Sequence, residues 1–289
     1  MRRLGVHTSI AGGVHLSLER AHVLGCTTVQ IFSHNPRGWA VKQILEEEAG
    51  KFQFLRKKYN ISPVYIHTSY LINMASWDRR LRKQSIDLLV IEMDRADILG
   101  ADFVILHTGS ASGRDSVLSR KRAIDALYEV SQRGKWRARL LIENTAGERG
   151  DIASDIVNLS EILNGVKDTF IGVKDTFISG ICIDTCHAFA AGYHIGEHKG
   201  IQRFSRDIKK YIGLGKVKLI HLNDSKGDMG TGIDRHEHIG LGKIGKEGLK
   251  RFIQYSSFKD IPLILETPKK RESDDVRNLK IVRRMIKGK

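Results

Sequence analysis

The sequence predicts a (β/α)₈ barrel, and three observations carry that prediction. Eight short apolar runs rich in β-branched residues recur along the 289 residues. Most read as continuous Val/Ile/Leu rather than as alternation, and helical periodicity fills the gaps between them. Continuous apolar strands are buried on both faces, as in a parallel sheet covered by helices. A barrel of eight such βα units takes roughly 250 residues, so the chain, 1–289, is expected to form a single domain.

In order the runs are LGVH at 4–7, TTVQIFS at 27–33, PVYIHTS at 63–69, FVILHTG at 103–109, RLLIENT at 139–145, GICIDTCH at 180–187, VKLIHLND at 217–224 and IPLILETP at 261–268. The intervals hold candidate helices at 77–99, 115–133, 151–163 and 245–255, several opened by Ser or Asp as caps. A doubly wound open sheet is the alternative, because Gly240, Gly242 and Gly245 spell the G-x-G-x-x-G of a dinucleotide site. That triplet does not directly follow a strand, as the dinucleotide mechanism requires. It reads instead as the loop entering a helix near Gly245, at the place after strand seven where barrels commonly receive phosphate. The heptapeptide GVKDTFI occurs twice in tandem, at 165–171 and 172–178. One such pair is too little for a solenoid. It is expected in the αβ connection between a helix ending near Leu163 and a strand starting near Gly180, bulging from the face opposite the barrel mouth.

Lys and Arg total 48 against 33 Asp and Glu, a net charge of +15, while 41% hydrophobic content excludes a disordered chain. The positive excess points to nucleic acid or another anionic surface. Cys26, Cys182 and Cys186 are too few for a disulfide framework and lack metal-knuckle spacing. The N-terminal segment is no signal peptide, and no apolar run approaches the ~18 residues of a membrane span. A soluble, cytoplasmic protein is the expectation.

The runs end at His7, Ser33, His67, His107, Glu143, Asp184, His221 and Glu266, all but one of them His, Asp or Glu. A barrel gathers its strand C-termini at one mouth, so these residues become neighbours there. His187, in CIDTCH, and the pair Asp234 and His236 follow strand ends closely. Imidazoles and carboxylates without thiolate suit a catalytic Zn²⁺ site, with Mn²⁺ acceptable in part. The donors exceed what one ion needs, so two or three ions with a bridging carboxylate are expected, and Cys182 and Cys186 read as packing residues. Clustered divalent ions on a basic chain suggest phosphodiester hydrolysis on nucleic acid. A divalent-metal sugar isomerase is the enzymatic rival, but a neutral sugar needs neither the surplus of His nor the charge. A catalytically silent DNA-binding protein with structural metals is the other rival, and the lack of Cys ligands argues against it.

Five segments in order then carry a family resemblance: HTSYLIN at 67–73, ENTAG at 143–147, GICIDTCH at 180–187, HLNDSK at 221–226 continued by DRH at 234–236, and LET at 265–267. Through them the chain resembles endonuclease IV, the zinc-dependent family of apurinic/apyrimidinic endonucleases, along essentially its whole length. The resemblance implies three zinc ions. His67, His107 and Glu143 would hold the first, and Glu143 would bridge to a second held also by Asp184, His221 and Glu266. His187, Asp234 and His236 would hold the third. It implies catalytic roles for Glu143 and Glu266, the latter orienting the nucleophile.

The implied reaction is cleavage of duplex DNA 5′ to an abasic site, leaving a 3′-hydroxyl and a 5′-deoxyribose phosphate, with trimming of blocked 3′ ends, in base excision repair. By the same resemblance Arg37, Tyr70 and Leu71 match side chains inserted at the lesion. Lys226 is placed to contact a phosphate, His7 supports the ligands, and a monomer is expected. Two departures from the family stand out. TGSA follows at His107 where PGSH is frequent, and the Glu143 to Asp184 interval is longer by about one heptad.

Overall fold

The computed structural model describes residues 2–169, 177–271 and 273–288. Eight strands pair in parallel: β1 (Leu4–Val6), β2 (Val29–Phe32), β3 (Val64–His67), β4 (Phe103–Leu106), β5 (Arg139–Glu143), β6 (Ile178–Asp184), β7 (Val217–His221) and β10 (Leu263–Leu265). Their order is β1-β10-β7-β6-β5-β4-β3-β2. A parallel bridge from His7 to Gln30 brings the first and last of these together, with Thr8 N donating to Gln30 O at 2.8 Å. The expected (β/α)₈ barrel is therefore observed. Outside it, β8 (Asp224–Ser225) and β9 (His236–Glu237) form a small antiparallel hairpin.

Helices α1 (Leu16–Val23), α2 (Glu46–Lys58), α3 (Arg79–Leu99), α4 (Ser116–Ser131), α5 (Ile156–Thr169), α6 (Thr185–Ala190), α7 (His198–Tyr211), α8 (Gly245–Gln254) and α9 (Ser273–Ile286) complete the ring. Asp78 and Asp115 cap α3 and α4, each carboxylate accepting first-turn amides. Two boundaries differ from expectation around α5. It starts at Ile156 rather than near Asp151, because Asp155 accepts from Val157 N and Asn158 N, while Asp151 bridges to Ser110. It runs on through Thr169, past Leu163, since Leu159, Ile162, Leu163 and Val166 continue one buried stripe. The first GVKDTFI copy thus begins inside the helix, and 170–176 lies outside the described residues. No described helix is long and apolar enough to cross a membrane.

Strand periodicity builds the site. On β3, Val64 and Ile66 face the helices in the large outer core, while Tyr65 faces inward. Tyr65, Ile105, Leu141, Cys182, Leu219 and Ile264 form a separate inner cluster that plugs the barrel. Two residues further along each strand come His67, His107, Glu143, Asp184, His221 and Glu266. A period of two places them in the layer directly above the apolar plug, which floors the mouth and keeps water from it from below.

The glycine loop after β7 is filled by the chain itself. The Asp224 carboxylate, fully buried, accepts from Gly240 N, Gly242 N, Ile244 N and Gly245 N at 2.9 to 3.2 Å. A side chain at Gly242 would sit 2.4 Å from Ser225 O, so only glycine allows this wrap. Asp224→Ala would strand those amides, and is expected to lower unfolding free energy by about 3 kcal/mol or more. Urea unfolding measures it, and an unchanged midpoint would refute this account.

Candidate metal centre

Glu143 sits at the middle of the strand-end layer with no solvent exposure. Its Oε2 faces His107 Nε2 at 3.1 Å and His67 Nε2 at 3.4 Å. Its Oε1 lies 2.8 Å from His221 Nδ1, which is also 3.2 Å from Glu266 Oε2 and 3.9 Å from Asp184 Oδ2. The donor atoms of His67, His107 and Glu143 lie within 4.8 Å of one another, as do those of Glu143, Asp184, His221 and Glu266. Glu143 belongs to both groups.

The remaining residues arrive from outside the strands. Asp184 accepts from His187 N at 2.9 Å, so the strand's last residue caps the helix that carries His187. The β8–β9 hairpin swings Asp234 and His236 over the same edge. Asp234 stands 3.2 Å from His187 Nε2 and 3.4 Å from His236 Nε2. Asp184 also groups with His187 and His236, so both Asp184 and Asp234 border this third cluster. The structure brings together all nine residues named from the sequence as metal ligands.

Hydrogen bonds fix which ring nitrogens point inward. His67 Nδ1 donates to Thr68 O, His187 Nδ1 to Asn144 O and His236 Nδ1 to Glu266 O, at 2.8 to 3.0 Å, leaving each Nε2 free. His221 is reversed: Nε2 donates to Gln30 Oε1 at 2.6 Å and Nδ1 turns to the carboxylates. Glu143 Oε2, His187 Nε2 and His236 Nε2 are buried with no hydrogen-bond partner. Their close neighbours among the described residues are the cluster's own ionisable groups, at 3.1 to 3.4 Å. Buried polar atoms without a well-formed hydrogen bond cost free energy unless something binds them, and imidazole and carboxylate are the set that a divalent cation takes. The residues present fit a metal.

Burial alone would raise the carboxyls and lower the imidazoles, yet their mutual attraction wins. Against burial, His221 and His107 hold Glu143 well below the ordinary carboxylate range, and His221 and His7 do the same for Glu266. Against burial, Asp184 and Asp234 raise His187 well above the usual imidazole value, and the Cys182 sulfur, then Glu143 and Glu266, do the same for His221. Burial pushes the Cys182 and Cys186 thiols up to about 12, so both are neutral. Neither is simply packed away: the Cys182 sulfur lies within 4.8 Å of the donor atoms of Glu143 and His221, and that of Cys186 within 4.8 Å of those of Asp234 and His236.

Three residues in this network escaped the sequence reading. Gln30 also donates to Glu266 Oε1 and contacts His7 Nδ1 at 3.0 Å, tying His7, His221 and Glu266 together. Asn144 clamps the Asp184 backbone from both sides, and Asn223 joins Asp184 Oδ2 to Glu266 N. A buried glutamine inside the apolar run TTVQIFS was the available signal, since an inward polar residue in a strand needs partners.

The cluster floors an open cavity of about 850 Å³, whose rim includes Phe32, Asn35, Pro36, Tyr70 and Lys269. His107 and Asp234 are the most accessible of the nine, with side chains 33% and 38% exposed, so a substrate meets them first. Tyr70, 63% exposed, leans its ring on Phe32 at 5.2 Å. Its amide donates to Pro36 O, which joins its loop to the one carrying exposed Arg37. Leu71 is half-buried beside it, and exposed Lys226 lies on the hairpin side, its amide donating to Arg235 O.

Comparison with known proteins places this geometry in a family. Residues 18–287 match the family described as Xylose isomerase-like TIM barrel. The chain is 41% identical over 283 residues to a probable endonuclease 4 of Halothermothrix orenii, covering 98% of this chain and 99% of that one. It is 38% identical to a probable endonuclease 4 of Cenarchaeum symbiosum, covering 97% and 98%. The crystal structure of endonuclease IV from Thermus thermophilus superposes with a TM-score of 0.85 at 34% identity, covering 99% of this chain and all of that one. A D-tagatose 3-epimerase-like protein superposes at 0.72 with 18% identity and shares the fold alone. Sequence relatives across the full length and the barrel they share make this chain a member of the endonuclease 4 family.

Proposed function

We propose that this chain is a zinc-dependent phosphodiesterase of base excision repair that cleaves duplex DNA 5′ to an abasic site. The products are a 3′-hydroxyl and a 5′-deoxyribose phosphate, and blocked 3′ ends are trimmed at the same centre. The observation that carries the reading is the convergence of nine imidazole and carboxylate side chains, three with unpartnered buried atoms, under an open cavity on a chain of net charge +15. Its endonuclease 4 relatives support the same substrate class.

His67, His107 and Glu143 would hold one zinc, with Glu143, Asp184, His221 and Glu266 holding a second and His187, Asp234 and His236 a third. Bound there, zinc supplies Lewis acidity that activates water at neutral pH and offsets charge on the phosphodiester. Glu266, anchored by Gln30 and His7, faces the cavity and orients the attacking water. Asp234, 38% exposed, stands on the accessible side with buried His187 behind it, where the leaving oxygen would depart. Arg37, Tyr70 and Leu71 enter the space left by the missing base, where extrusion of a baseless sugar forfeits less stacking, and Lys226 holds a backbone phosphate.

The test is incubation of the zinc-loaded chain with a duplex carrying one abasic site. A single nick 5′ to the site is expected, with none on the undamaged duplex. Absence of incision by a chain shown to contain zinc would overturn the reading.

A further inference from the structure

Two loops leave the metal centre on one side of the barrel, and both end in arginines. The β3–α3 loop runs from His67 past Tyr70 to Arg79 and Arg80 on the first turn of α3. The β4–α4 loop runs from His107 to Arg114, just before α4. Because both follow strand C-termini, they lie on the face that carries the mouth.

The loops are stitched into one body. Met74 N donates to Thr108 O at 3.1 Å, while the Asn73 amide donates to Ser110 O at 3.1 Å and accepts from Ser110 N at 3.2 Å. Gly109, at φ +106°, lets Asn73 approach, since a Cβ there would fall 2.1 Å from its Oδ1. Trp77 then pins α3 to α4. Its Nε1 donates to Ser119 Oγ at 2.8 Å, and the Arg122 and Arg114 guanidinium carbons stand 4.2 and 6.0 Å from its ring centre. Arg114 and Arg122 are therefore held against Trp77, and Arg79 and Arg80 extend from the stitched loop's end on α3.

Their charge is not cancelled locally. Segment 77–83 carries Arg79, Arg80, Arg82 and Lys83 against Asp78, and segment 114–122 carries Arg114, Arg120, Lys121 and Arg122 against Asp115. Asp78 and Asp115 are engaged as helix caps, accepting from Arg80 N and Leu118 N at 2.7 Å, so the helix starts themselves are already satisfied. Lys83 and Arg120 pair with Asp87 and Glu161. Asp125 and Glu129 lie further along the groove beside Lys121 and Arg122. Arg79, Arg80 and Arg114 are exposed and form no ion pair among the described residues.

We propose that this rim is a second DNA contact surface, holding the backbone phosphates of the duplex flank on the β3–β4 side of the lesion. The inference rests on the reading of the chain as a DNA enzyme and adds phosphate contacts beyond the lesion-reading side chains, further along the loop that carries Tyr70 and Leu71. Exposed guanidinium groups on helix starts suit phosphate oxygens, and such contacts fix register without reading sequence.

The experiment compares the wild-type chain with R79Q/R80Q/R114Q, on an abasic duplex of about 30 base pairs and on one trimmed to about 5 on each side of the lesion. Each phosphate contact adds about 0.9 to the slope of log K against log salt. The triple variant is expected to show a slope shallower by about 2.7 on the long duplex, for abasic and undamaged DNA alike, and no change on the short one. K57Q/K58Q/K135Q, at the opposite end of the barrel, removes the same charge and is expected to leave the slope unaltered. An unchanged slope for the rim variant overturns this inference alone, as does an equal loss in the opposite-end variant. A chain that binds no DNA overturns both this inference and the functional reading beneath it.

Discussion

Removal of metal with a chelator is expected to abolish incision and to lower the melting temperature by about 10 °C, with the deficit growing as pH rises from 6 to 8. In the metal-free chain the centre is held together by its own charges. His67, His187 and His221 lie above their ordinary value of 6.5 when folded, so their contribution is complete below about 6.5 and is lost as pH rises through the folded values. Glu143, Glu266 and Asp234 lie below their ordinary values of 4.5, 4.5 and 3.8, so theirs is present above those values and is lost as pH falls. The window in which both contributions are present runs from about pH 4.5 to about 6.5.

Bound zinc would reverse the upper limit. It takes neutral imidazole and ionised carboxylate, so its affinity climbs as protons leave the histidines. One site with free zinc at about 1,000 times its Kd stabilises the fold by about 4 kcal/mol. At roughly 2–4 °C per kcal/mol for a chain of this size, that corresponds to about 10 °C. Melting curves at pH 6 and pH 8, with and without zinc, measure the effect, and a gap that stays constant or narrows toward pH 8 would contradict it.

Glu143→Gln is expected to reduce incision by about 10³-fold or more and to remove at least one equivalent of zinc. The substitution keeps the shape but deletes the one charge that faces His67, His107 and His221 together. It also places an amide NH₂ against a ring nitrogen or an unpartnered buried site, where the carboxylate had two acceptor oxygens. Neither neighbouring carboxylate replaces it, because Asp184 approaches His221 only at 3.9 Å and Glu266, 3.2 Å from His221, is grouped with neither His67 nor His107 among the described residues. Metal analysis of the purified variant and single-turnover incision test this directly. Full zinc content with activity within tenfold of wild type would remove Glu143 from the centre.

The strand-end chemistry was legible because alternation in a parallel barrel is a strong constraint. Once Tyr65, Ile105 and Leu141 face inward, His67, His107 and Glu143 must follow them to the mouth. Asp234 and His236 were visible as a sequence pair, but the hairpin that delivers them is two residues per strand, too short for any periodicity. Gln30 was unreadable as a tether because His221 and Glu266 lie 191 and 236 positions away. The start of α5 was misplaced since Asp151 and Asp155 both resemble caps, and only the tertiary bridge to Ser110 separates them.

The glycine loop enters α8 at Gly245, as the sequence suggested, and what fills it bears on selectivity. Asp224 is tethered one strand away from the four amides it binds, so its effective concentration there exceeds that of any diffusible anion. It acts as a permanent competitor for the position where barrels of this class often bind phosphate. Free phosphate and nucleotides would thereby lose a foothold beside the mouth, and a phosphate entering the cavity would instead meet the candidate metal ligands and Lys269. A cleft built this way would favour a long polyanion that spans the mouth over small anions, whose strongest backbone site is already taken.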